Sequence, residues 1–454
     1  MRLSSRVRVV RVTRVHPARG RVTGTDDHEL PFFDAMQVSK IPIQLLFLFD
    51  GPDLPPFPSM VSALRSSLAD CLAVFFPLAG ELAFRRSSGA VVLDCSSAAA
   101  SSGVRFVEAE YLGGADDMRR MARQDEHDTE AFIQLVPELD VAQLPAPVLA
   151  VQVTRGQGAV AVGVSMHHAV ADGLALWQFM RAWSTATREG SPAAAGLVPP
   201  TFDRGAILRH PMAAELYRMV LRMWAPELPL LSPQPSRDDD EMVRRTFVLT
   251  ADRIQALKQH IGGGDVEVVV PTTYVAVLSL AWVSIIHAKS MDHAVDAYFM
   301  AMADCRRRMR PPLGDGYFGN CIRGCLARAN VGDLCGEGGL ARAAAAIQEG
   351  IREVVDKEDP LEGMERLPEV IGGIPKDRLT TGGSSHRFMA YETDFGWGAP
   401  TRVEIVSMFK PELIMLHGAR DRGAVQVSLE LTTPIMEAFA TTFLSNYYFL
   451  PSKM

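Results

Sequence analysis

The residues best placed to do chemistry lie in one run, Val164-Ser165-Met166-His167-His168-Ala169-Val170-Ala171-Asp172-Gly173. Histidine is the side chain whose ordinary pKa lies near working pH, so a suitably placed imidazole serves as a general base. Val160, Val162, Val164 and Met166 share one face of a predicted strand, and His168 has the same parity while His167 faces the other way. A histidine leaving a buried strand face as the strand ends is well positioned to take a proton. Asp172 follows four residues later, and Gly173 permits a tight turn before the next element. Taken alone, the adjacent histidines read first as satisfied structural residues, and with Asp172 they also match a metal ligand set. Neighbouring strand side chains point apart, which counts against a shared ion.

A second constellation is Tyr391-Glu392-Thr393-Asp394-Phe395-Gly396-Trp397-Gly398-Ala399-Pro400. Two glycines flanking a tryptophan suggest close backbone approach in a packed turn, or else an ordinary aromatic-bearing loop. Asp394-Phe395-Gly396 mimics a kinase triplet, but no HRD loop and no Gly-rich phosphate loop accompany it. Cys321 and Cys325 form a CxxxC that offers two zinc ligands, with no second Cys or His pair at finger spacing.

The elements that must carry these residues are legible. Val148 to Thr154, a turn at 155–158, and Ala159 to Met166 read as a β-hairpin that delivers His168. Leu176, Phe179, Met180 and Trp183 recur at helical spacing just after Gly173, and Val425, Val427, Leu429 and Leu431 alternate as a half-buried strand. Seven arginines among the first 22 residues suggest a transit peptide, yet Val7 to Val15 largely alternates apolar and basic residues and predicts an edge strand. Val268 to Ala288 holds no Asp, Glu, Lys or Arg, but its Pro, Thr, Ser and His residues favour a buried strand-to-helix passage over a membrane span. Between the halves, Gly190 to Gly196, Pro199-Pro200, Pro229, Pro233, Pro235 and the acidic run 238–241 mark a surface crossover. The predicted organisation is therefore an N-terminal domain at 1–190, a linker at 191–243 and a C-terminal domain at 244–454, in a mixed α/β fold.

Composition narrows the function classes. A chain of 454 residues with 48% hydrophobic and 22% charged residues is globular and buries a sizeable core. A net charge of −7 argues against nucleic-acid binding, which needs a basic excess. Six sparse cysteines and the lack of a signal peptide point to reduced thiols in a cytoplasmic protein.

His168-Ala169-Val170-Ala171-Asp172-Gly173 resembles the HxxxDG motif of CoA-dependent acyltransferases, including the plant BAHD family, and also the HHxxxDG of peptide-assembly condensation domains. Asp394 to Gly398 resembles the DFGWG signature of BAHD enzymes, which condensation domains lack. Phe76 to Gly80 is similar to the family's PLAG segment, Asp304 to Arg308 to its DxRxR, and Tyr317 to Cys321 to the YFGNC of the flavonoid and anthocyanin branch. The resemblance spans nearly the whole chain. It implies two similar-sized mixed-sheet domains of the chloramphenicol acetyltransferase-like type, joined by a long crossover with a channel between them. It further implies His168 as general base, Asp172 as a structural partner of Arg306, and Asp394, Phe395, Gly396, Trp397 and Gly398 as a loop supporting the site.

The same resemblance bears on substrates. Gly383-Ser384-Ser385-His386-Arg387 is closest to the pattern of malonyl-transferring relatives, departing from it with His386 where they carry Pro and with Ala399 where a basic residue often follows. A malonyl carboxylate suits an Arg fork, so Arg387 is the candidate clamp, with an acceptor's carboxylate or a surface ion pair as alternatives. Ser385 belongs to the same expected acyl-CoA pocket, and Lys258 is a candidate for the CoA phosphates or simply a solvated helix residue. The expected activity is malonyl transfer from malonyl-CoA to a flavonoid or phenolic glucoside. Acetyl- or hydroxycinnamoyl-CoA transfer to another alcohol or amine, or a non-catalytic ligand-binding relative, are the alternatives. The expected enzyme is a monomer with no metal or bound cofactor and no nucleic-acid or membrane partner.

Overall fold

The computed structural model of the chain describes residues 5–18, 27–114, 116–231, 242–263, 270–407 and 412–445. Arg2, Arg19 and Arg21, Pro233, Pro235, the acidic run 238–241, and Val268 and Val269 of the long apolar stretch lie outside the described residues.

Two six-stranded mixed sheets form two α/β domains. The first runs Val7–Val15, Val104–Tyr111, Leu149–Gly156, Ala159–Met166, Ile43–Asp50 and Arg402–Ile405. The second runs Met242–Leu249, Val425–Thr432, Leu413–Gly418, Leu379–Gly382, Asp296–Asp304 and Ile322–Asn330. A smaller four-stranded sheet includes Glu81–Arg85 and Ala90–Asp94. The C-terminal half lends one strand to the first sheet, because Arg402–Ile405 pairs antiparallel with Ile43–Asp50.

Local sequence accounts for the elements that carry the site. The hairpin forms with Gly156 opposite Ala159, so its loop is only Gln157-Gly158, with Gly158 at φ +67°, a left-handed conformation that glycine adopts without steric cost. Every residue of Ala159–Met166 is buried. The helix Gly173–Glu189 starts at Asp172, whose carboxylate accepts from Ala175 N, and stops at Gly190 in the left-handed region. Its Leu176, Phe179, Met180 and Trp183 pack into the first core beside the helix Phe57–Val74.

Val7–Val15 is an edge strand, but a bulge between Val9 and Arg11 breaks its alternation and only Val15 is buried. The apolar stretch becomes the 16-residue helix Thr273–Ala288, capped by Thr272 and buried from Val275 to Ile286 in the second core. Among the described residues no helix is long and apolar enough to cross a membrane.

The last long strand departs from a half-buried pattern. Val425, Val427, Leu429 and Leu431 face the second core, while Gln426, Ser428 and Glu430 on the other face are buried too. That face meets the borrowed strand: Gln426 Nε2 donates to Val403 O at 3.0 Å, and Thr246 and Ser428 hydroxyls donate to Glu404 at 2.9 and 3.3 Å. The polar face is thus a domain junction rather than a solvent surface.

Candidate active site

The strand Ala159–Met166 ends at His167, and a single 3-10 turn, His168–Val170, follows. His167 lies fully inside. Its Nδ1 accepts from Ala169 N at 3.1 Å, which caps the turn, and burial together with neighbouring His168 pushes its pKa down to about 3. It is a neutral structural residue.

His168 keeps partial exposure. Its Nδ1 is buried and, among the described residues, has no hydrogen-bond partner. Burial lowers its pKa and the Lys40 ammonium adds to the effect, opposed by its own carbonyl, the Asp172 carboxylate and Asn320. The imidazole is therefore neutral at neutral pH, the state a general base requires.

Asp172 is engaged by the backbone and by Arg306. Its carboxylate accepts from Ala175 N, from Cys321 N at 3.2 Å and from Arg306 Nη2 at 2.8 Å, and both partners of the ion pair are buried. Arg306 comes from the second domain, on the short turn after the strand Asp296–Asp304, and also donates to Gly319 O at 3.1 Å. The two domains are tied together one turn behind His168.

Three further residues hold the His168 turn. Asn320 Nδ2 donates to His168 O and to Asp34 Oδ1, each at 2.9 Å, and Asn320 N donates to Asp34 Oδ1 at 2.7 Å. Arg204 Nε completes the set on Asp34 Oδ2 at 2.7 Å. All three side chains are buried. Sequence reasoning missed them as site residues because Asp34 lies 286 positions from Asn320 and carries no local pattern.

The second motif sits elsewhere. Asp394 Oδ1 accepts from Gly396 N at 2.7 Å and Gly398 N at 2.9 Å, closing the loop on itself. Both glycines have positive φ, +104° and +96°, which side-chain-bearing residues resist. Phe395 is buried against Phe47, Phe49 and Trp183, and Trp397 packs edge-on to Phe49. Gly396 lies against Arg188, whose guanidinium donates to Asp394 O at 3.1 Å. Arg188 is 16 residues beyond Asp172 on the same helix, a span of about 24 Å at 1.5 Å per residue. The loop therefore anchors the borrowed strand to the first domain and stands well apart from His168.

The residues expected in the acyl-CoA pocket, Lys258, Ser385 and Arg387, fall around His386. Lys258 lies half-exposed on the helix Ala251–Gly262, and Arg387 is exposed beyond Ser385, whose Oγ accepts from Arg387 N at 3.2 Å. Burial and the two nearby cations Arg387 and Lys258 depress the His386 pKa, so the three basic side chains share one neighbourhood. Among the described residues neither Lys258 nor Arg387 has an ion-pair partner. The adjacent Phe388 reaches the first domain: it packs near Trp177, and a Cβ on Gly173 would meet its ring at 2.6 Å. Arg387 thus precedes the residue that packs against the start of the Gly173–Glu189 helix. Among the described residues no group of three or more His, Cys, Asp or Glu gathers as metal ligands.

Comparison with known proteins bears on this arrangement. The model of the Transferase family matches residues 5–445. The chain is 27% identical to phenolic glucoside malonyltransferase 1 of Arabidopsis thaliana over 94% of its own length and 95% of that protein. It is 29% identical to hydroxycinnamoyl-CoA:5-hydroxyanthranilate N-hydroxycinnamoyltransferase HHT4 of Avena sativa, covering 83% and 84%. The structure of vinorine synthase superposes with a TM-score of 0.71 at 21% identity over 96% of this chain and 98% of that one, so the fold is shared.

Proposed function

The chain belongs to the Transferase family, the BAHD acyl-CoA-dependent acyltransferases, and we propose that it moves a malonyl group from malonyl-CoA to a hydroxyl of a flavonoid or phenolic glucoside. The neutral imidazole of His168 takes the proton of the acceptor hydroxyl as its oxygen attacks the thioester carbonyl. The tetrahedral adduct then collapses, the C–S bond breaks, and the CoA thiolate leaves and recovers the proton from His168. The observation that carries this reading is the division of labour at the motif. His168 is half-open and neutral, whereas Asp172 is consumed by Arg306 and the backbone and is left with a structural role.

Lys258 and Arg387 support an anionic donor, since a phosphate or a desolvated carboxylate needs cations that are not already paired. Arg387 is the clamp for the malonyl carboxylate, with Ser385 ordering its backbone. The site needs no metal or redox group, and the enzyme is a cytoplasmic monomer. The similarity to a hydroxycinnamoyltransferase keeps a second donor class, hydroxycinnamoyl-CoA, as the competing choice.

Release of CoA thiol from a panel of acyl-CoAs and glucosides tests the proposal. Malonyl-CoA with a phenolic glucoside should give the highest kcat/KM. His168→Ala should lower turnover by about 10²–10⁴-fold, the usual range for general-base help, while CoA still binds. Arg387→Ala should weaken malonyl-CoA more than acetyl-CoA. Retained turnover in the first variant, or equal losses of both donors in the second, refutes the corresponding assignment.

A further inference from the structure

The crossover contains a helix, Ala213–Trp224, whose apolar stripe runs out of the core into the open. Leu216 and Val220 on that stripe are 0% and 4% exposed, yet Trp224, one turn further along, is 40% exposed. A large exposed aromatic at the end of a buried stripe is the informative kind of surface residue. One face of its indole is already occupied, because Lys40 Nζ sits 4.4 Å from the ring centroid.

The same short segment links Trp224 to the base. The helix Phe32–Ala35, five residues before Lys40, carries Asp34, which holds Asn320 and through it the His168 carbonyl. Phe32 and Phe33 of that helix pack in one cluster with Leu216 of the crossover helix. The Lys40 ammonium is also close enough to bias the His168 ring.

We propose that the free face of Trp224 is a stacking platform for the aromatic aglycone of the acceptor, held in orientation by Lys40 on its opposite face. This rests on the glucoside-acceptor reading above: the sugar hydroxyl reaches His168 while the flat aglycone lies on the indole. Trp224 is thus a specificity-determining residue that takes no part in the proton transfer.

The test is steady-state CoA-thiol release with malonyl-CoA and two acceptors, 4-nitrophenyl glucoside and methyl glucoside. Aromatic stacking of ordinary strength corresponds to about a 2- to 12-fold preference. Trp224→Ala should therefore cut the ratio of kcat/KM for the nitrophenyl over the methyl glucoside by that factor, through the acceptor KM, with the KM for acyl-CoA unmoved. Trp224→Phe, which keeps a ring, should restore most of the ratio. An unchanged ratio in Trp224→Ala, or a parallel rise in the acyl-CoA KM, overturns the platform alone. A wild-type enzyme that acylates neither glucoside strikes at the glucoside-acceptor reading and takes the platform with it.

Discussion

Asp172 and Arg306 form the contact whose loss is best defined. Asp172→Ala removes the helix cap on Ala175 N, the bond from Cys321 N and the carboxylate that neutralises a guanidinium whose side chain is only 4% exposed. Arg306 would then keep Gly319 O, the half-exposed Asp304, 3.1 Å away, and the face of the Tyr317 ring. Breaking one side of a buried ion pair costs about 3–5 kcal/mol, and losing an N-cap about 1 kcal/mol more. At about 2–4 °C per kcal/mol for a chain of larger size, the melting temperature should fall by roughly 10 °C or more. Asp172→Asn keeps an oxygen for the cap and should lose only the ion-pair part. Arg306→Met strands the carboxylate instead and should cost a similar amount. The double variant Asp172→Asn/Arg306→Met removes both charges together and should be markedly more stable than the two single losses added. Thermal and urea melts of the wild type and these four variants measure this directly. A drop of less than about 2 °C in Asp172→Ala, or strictly additive losses around the cycle, would refute the claim that this pair ties the domains behind His168.

Two further outcomes follow from the same geometry. The folded pKa of His167, about 3, lies below the ordinary histidine value near 6.5, so the stability it contributes is complete above pH 6.5 and declines as pH falls towards 3. His167→Asn keeps an acceptor for Ala169 N and should flatten the pH profile of the unfolding free energy, from urea melts, by about 1 kcal/mol per pH unit across that window; an unaltered slope refutes the assignment. Gly173→Ala places a methyl group 2.6 Å from the Phe388 ring and should cost about 1–3 kcal/mol through overpacking, with Phe388→Leu as a suppressor. A melting temperature unchanged by Gly173→Ala would mean that the Phe388 loop yields freely.

Much of the site was legible where its cause is local. The parity of Val160 to Met166 delivers His168 at a strand end, and Asp172 reads as the start of a helix because it caps Ala175 N three residues on. The helical spacing of Leu216, Val220 and Trp224 was equally readable, but the prolines around it favoured a surface crossover, whereas Leu216 and Val220 are buried. The pairing of Asp172 with Arg306, expected from family resemblance, corresponds to a bond seen across 134 residues.

Other features had no such signal. The loop of Asp394 to Gly398 is separated from Asp172 by the length of a helix, because Phe395 finds its place among Phe47, Phe49 and Trp183. Gln426, Ser428 and Glu430 look like solvent-facing positions until Arg402–Ile405 crosses to the first sheet and covers them. Hydrophobic period and capping act within a few residues, so the amino-acid sequence by itself determined the edge strand, the hairpin that ends at His167, the last long strand and the helix behind the motif. Buried polar groups are satisfied by whatever the fold brings within hydrogen-bond reach, so only the tertiary structure decided that Asp34, Arg204 and Asn320 hold the His168 turn and that Trp224 is left facing outward beside Lys40.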